Sequence, residues 1–118
     1  MEKKVNILGT TYAVHTSVDV NSDPSLKNLF GYCCATERKI VIADMNTIEN
    51  WKDESNESKA EIVRQTMRHE VIHAFLAESG LRGSTNDVQA WATNEEMVDW
   101  IAIQYPKMKK IFAELGCE

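Results

Sequence analysis

The first third of the chain alternates apolar and polar positions with a period of two. In TYAVHTSV, residues 11–18, one side carries Tyr12, Val14, Thr16 and Val18 and the other Ala13, His15 and Ser17, which predicts a half-buried strand. KVNILG, residues 4–9, is short and β-branched and predicts another. The pattern breaks over VDVNSDPSLKNLFG. Asn21-Ser22-Asp23-Pro24 is turn chemistry, and SLKNLF reads as one short helical turn. In YCCATERKIVIADM, two apolar runs flank Ala35–Arg38, as in a hairpin whose second strand is KIVIAD, residues 39–44.

From residue 51 the period changes to that of a helix. WKDESNESKAEIVRQTMRHEVIHAFLAESG holds a start signal, the capping box Ser58-x-x-Glu61, and a left-handed stop at Gly80. LRGSTND is a polar link. A second helix is predicted from about Asp87 or Thr93 to Tyr105. Pro106 is expected to break it and to open a third, PKMKKIFAEL, ending at Gly116. Strands first and helices after predict an α+β domain: a small, mainly antiparallel sheet followed by three helices. At 118 residues the chain fits one domain, 1–118, with a strand-rich part over 1–45 and a helical part over 53–116.

Composition narrows the function classes. A net charge of -5 and a pI near 5.2 argue against a nucleic-acid surface. The densest cationic group, Lys107, Lys109 and Lys110, reads as a solvated helix face. No segment approaches the ~20 apolar residues that span a bilayer. MEKKVNILGTTY lacks the apolar core and cleavage site of a signal peptide, so the protein is expected in the cytoplasm and off the membrane. Cys33, Cys34 and Cys117 are odd in number, with two adjacent, which is no disulfide framework.

The candidate chemistry lies in MRHEVIHAF, residues 67–75. His69 and His73 stand at i and i+4, one turn apart on one helix face, where two imidazoles can converge on one metal ion. Glu70 is rotated about 100° from His69. It sits beside such an ion, placed to hold a water and take its proton. The expected cofactor is one zinc ion, although two histidines and a carboxylate accept other metals.

A catalytic zinc wants a third protein ligand. The extended form H-E-x-x-H-x-x-G-x-x-H is excluded, because Leu76 and Ser79 stand where its glycine and histidine should be. TNEEMVDW, residues 93–100, offers Glu95, Glu96 and Asp99 on the next helix. If Met97, Val98, Ile101, Ala102 and Tyr105 form its apolar arc, Glu95 falls roughly 90° from the centre and Glu96 nearly opposite. Thr93-x-x-Glu96 also reads as a capping box, which occupies Glu96 at the helix start. Glu95 is therefore the preferred ligand, Glu96 the alternative, and Asp99 an outer partner for a histidine N–H.

With these residues the sequence resembles the gluzincin metallopeptidases, in which H-E-x-x-H is followed some twenty residues later by a glutamate on a second helix. NEEMVD looks like the thermolysin-type Asn-Glu-x-x-x-Asp segment. The resemblance implies zinc on His69, His73 and Glu95, with Asp99 bracing a histidine. The small size, and a hairpin such as GYCCATERKIVIAD before the zinc helix, also resemble the ImmA/IrrE-like metallopeptidases of bacteria and phages. Two departures are expected from this sequence: no lobe after the glutamate helix, where larger gluzincins carry one, and no helix-turn-helix module of the kind appended to some ImmA/IrrE-like proteins.

The expected function is hydrolysis of a peptide or protein substrate by a metal-activated water, with Glu70 as general base. The conceivable oxyanion donors are Tyr32, Tyr105, His15 and Arg68, and KIVIAD is expected to offer an open edge to an extended peptide. The competing expectation is a non-catalytic, metal-bearing interaction module that binds a repressor or host protein. A third is a deformylase-like hydrolase with Cys33 or Cys34 as a metal ligand.

Overall fold

The computed structural model describes residues 1–80 and 95–118, with the side chains of Glu95, Val98, Asp99 and Ala102 outside that description. All four strands precede both helices: β1 (Glu2–Ile7), β2 (Thr10–Val18), β3 (Gly31–Cys34) and β4 (Lys39–Ala43), then α1 (Asn56–Glu78) and α2 (Glu95–Leu115). This is the α+β order expected.

The sheet is mixed rather than mainly antiparallel. Its order is β1-β2-β4-β3. The hairpins β1–β2 and β3–β4 are antiparallel, but β4 docks on β2 in parallel, with Val14 beside Ile40 and His15 beside Val41. Burial explains the placement. Ile40, Val41, Ile42 and Ala43 are all buried, so both faces of β4 need cover and it takes an interior position. KIVIA is therefore no open edge, contrary to expectation. The edges belong to β1 and to β3.

Alternation splits the core between two faces. Val5, Ile7, Tyr12, Val14, Ile40 and Ile42 face the helices and pack on Met67, Val71, Ala74 and Phe75 of α1 and on Met108, Ile111 and Phe112 of α2. On the far face, Val41 and Ala43 pack under Leu26 and Met45. Leu26 comes from a 3-10 turn, Pro24–Leu26, which overlaps only the start of SLKNLF, the stretch expected to form a helical turn. The chain reverses between β1 and β2 at Leu8-Gly9, both at positive φ, as a two-residue hairpin turn requires. Asn6 fixes that turn by accepting from the Gly9 N–H at 2.7 Å.

The helix limits differ from expectation at two points. α1 starts three residues early. Ser55 is its N-cap and accepts from the Ser58 N–H, while Glu61 pairs with Arg64 and Gln65 instead of closing a capping box. The stop at Gly80 holds, with φ 85°. Second, Pro106 does not divide the last segment into two helices. α2 runs unbroken through it from Glu95 to Leu115. An interior proline costs ~3 kcal/mol and one backbone hydrogen bond. Here it lies on the exposed side, and the buried residues Met108, Ile111 and Phe112 hold the helix against the core just beyond it.

Candidate metal centre

α1 supplies the whole chemical cluster. Its buried stripe is Thr66, Met67, Glu70, Val71, Ala74 and Phe75. His69 and His73 flank that stripe on the exposed side. Their Nε2 atoms lie 3.0 Å apart, with ring centroids at 4.7 Å and planes at 76°. Two imidazole nitrogens this close need one to donate and the other to accept, or both lone pairs to face a shared cation. Metal–nitrogen bonds of about 2.0–2.1 Å meeting at the tetrahedral angle put two such nitrogens roughly 3.3 Å apart. The pair fits that demand with a small opening movement. With the Glu70 carboxylate, the ligand atoms all lie within 4.8 Å of one another, so the group can hold a metal ion.

The two kinds of side chain meet different environments. The histidines are exposed, whereas Glu70 is only 6% accessible. Burial pushes its carboxyl above the usual carboxylate range, and the nearby His69 opposes the shift. A carboxylate so placed is a stronger base than one in water.

Beside the cluster lies a cleft of about 380 Å³, lined by Phe30, Gly31, Ile62, Gln65, Thr66, His69 and Glu70. Its far wall is the start of β3. A Cβ on Gly31 would lie 2.7 Å from the Val41 carbonyl oxygen and 2.9 Å from the Thr66 methyl. Only glycine lets this strand approach α1 so closely, one helical turn before Glu70. The ladder also sets what Gly31 presents. The Ala43 N–H donates to the Phe30 carbonyl at 2.8 Å, and Gly31 pairs with Ile42. Gly31 thus occupies a wide pair, and its own N–H and C=O point away from β4 to the open edge.

Of the residues expected at the site, His69, Glu70 and His73 come together. Glu96 is exposed and stands outside the cluster. Glu95 and Asp99 fall in the first turns of α2, with side chains outside the described residues. Of the arc that ranks Glu95 above Glu96, Ile101 is 44% and Tyr105 52% exposed, Met97 is half-buried, and the Val98 and Ala102 side chains lie outside the described residues. The core is met by Trp100, Met108, Ile111 and Phe112.

Three of the conceivable donors are used elsewhere or face solvent. The Tyr32 hydroxyl donates to Asp23 at 2.7 Å. Arg68 donates to the Cys117 carbonyl at 2.6 Å. Tyr105 is exposed. His15 is half-buried on β2, and among the described residues it is not in the His–Glu–His group. Neither Cys33 nor Cys34 joins that group, so the deformylase-like ligand set does not assemble among the described residues. Sequence reasoning missed Phe30, Gly31, Ile62 and Gln65. A glycine opening a short strand ahead of α1 was the available signal.

Among the described residues, no helix is long and apolar enough to cross a membrane. Compared with known protein families, curated proteins and solved structures, the chain matches none.

Proposed function

We propose that this chain is a zinc-dependent metallopeptidase. One observation carries the reading: two histidine nitrogens 3.0 Å apart at the mouth of a cleft, with a desolvated carboxylate as their helical neighbour. In this reading His69 and His73 would hold the metal, with Glu95 as the third ligand in preference to Glu96 and Asp99 as the outer partner of a histidine N–H. Zinc bound there supplies a Lewis acid that polarises a carbonyl and acidifies water. Glu70 takes the proton of the attacking water and returns it to the leaving nitrogen.

The substrate class follows from the edge strand. Gly31 turns one donor and one acceptor outward beside Glu70, which is how a sheet edge takes an extended peptide. Phe30 and Ile62 give the cleft apolar walls that thin the water around the scissile bond. Three cysteines outside any disulfide among the described residues suit a reducing compartment, and we place the enzyme in the cytoplasm.

The test compares wild type with Glu70→Gln, each loaded with zinc and assayed on unfolded protein and peptide mixtures. Both bind one zinc, and turnover falls about 10²–10⁴-fold in the variant, the usual weight of a general base. Identical behaviour of the two proteins would instead favour the metal-bearing interaction module.

A further inference from the structure

A second groove opens where β3 begins. Its volume is about 860 Å³, within the roughly 300–1,000 Å³ typical of ligand sites. Its apolar lining is Val20, Leu26, Leu29, Phe30, Ile48 and Trp51. Phe30 and Trp51 meet edge to face, with centroids 5.5 Å apart and planes at 83°. Phe30 also lines the cleft beside His69 and Glu70, so a single side chain stands between groove and cleft.

The direction of the edge strand links the two. A peptide extended along β3 past Gly31 continues toward Phe30 and Leu29, and hence over the groove. Leu29 is 46% exposed there, an apolar surface that water disfavours and that a substrate side chain would cover. The two charged side chains lining the groove, Lys27 and Glu49, are opposite in sign, which leaves no net charge to recruit an ionic group.

We propose that the groove of Leu29, Phe30, Ile48 and Trp51 is a specificity subsite that takes a large apolar side chain of the substrate, remote from the bond that is cut. The assignment rests on the peptidase reading of the His69–Glu70–His73 cluster and names the peptides it prefers. Phe30 and Trp51 give an occupant aromatic edges and faces, and the volume admits Phe, Tyr, Leu or Met.

The experiment digests a degenerate peptide library with the zinc-loaded protein and reads the cleaved products by mass spectrometry. Wild type enriches aromatic and large aliphatic residues at one fixed position, two or more residues from the cut. Trp51→Ala lowers kcat/KM for those peptides roughly tenfold or more, the scale on which apolar pockets discriminate, chiefly through KM and with zinc content unchanged. Leu29→Lys alters an exposed position that folding tolerates, and it abolishes the enrichment as well. Cleavage without positional enrichment, or enrichment that survives both substitutions, overturns the subsite and leaves the peptidase reading standing. Absence of cleavage by zinc-loaded wild type overturns the peptidase reading, and the subsite with it.

Discussion

The two long helices bury different kinds of residue. α2 meets the core with Met108, Ile111 and Phe112. α1 meets it with Met67, Val71, Ala74 and Phe75, but sets Thr66 and Glu70 in the same buried stripe. The Thr66 hydroxyl is satisfied by the Ile62 carbonyl at 2.7 Å. Glu70 has its charge opposed by burial. Beyond Pro106, α2 is thus a packing element, in a helix that tolerates even an interior proline. α1 gives up stability at one position and gains a reactive group there. A helix serving packing alone would place an apolar residue at position 70.

Five substitutions probe that division. The largest effect on folding belongs to α2. Phe112→Ala should lower unfolding free energy by about 3–5 kcal/mol in chemical denaturation, while the folded fraction still binds one zinc. Loss of zinc stoichiometry at that position would erase the distinction between the helices.

Next comes the exposed side of α1. His73→Ala should weaken zinc by more than about 100-fold, beyond the 10–100-fold that a supporting residue costs, with little change in folding. Glu95→Ala should do the same and Glu96→Ala should not. Competition with a chromogenic chelator reads all three, and the reverse order for the two glutamates would exchange their roles.

The smallest effect is on the stability of the metal-free protein. Because Glu70 has a raised folded-state pKa, the folded chain binds more protons than the unfolded chain between the two values. Its contribution to stability is therefore present at low pH and is lost as pH rises through the raised value. Glu70→Gln should remove that slope, so the variant should melt higher than wild type in EDTA at pH 8 and nearly together with it below about pH 4, where the carboxyl is protonated in both states. A melting point below wild type at pH 8 would mean that the carboxylate is a structural partner.

The local patterns were readable and the long-range ones were not. Alternation at Tyr12 and Val14, the turn at Ala35–Arg38 and the stop at Gly80 each depend on neighbours in sequence, and each is found as expected. The parallel pairing of β2 with β4 depends on which strand needs cover on two faces. The unbroken apolar run Ile40–Ala43 carries that signal, while the hairpin pattern by itself says nothing of a second neighbour. The local cost of Pro106 predicts a break, and the burial of Met108 and Phe112 beyond it outweighs that cost. The His–Glu–His cluster was legible because one helical turn fixes it. The cleft was not, because Phe30 and Gly31 reach it from a strand some forty residues away, and only the Cβ-free approach of Gly31 to Thr66 reveals the contact.

The edge at Gly31 has a consequence for the protein in solution. Among the described strands β3 stands at the end of the sheet, and an edge strand accepts an extended chain, another copy of the protein included. β1 guards its own edge with Glu2, Lys3 and Lys4, whereas Gly31–Cys34 carries no charge at all. Whatever binds this edge competes with self-association, so on the peptidase reading proposed above a concentrated sample would become its own inhibitor.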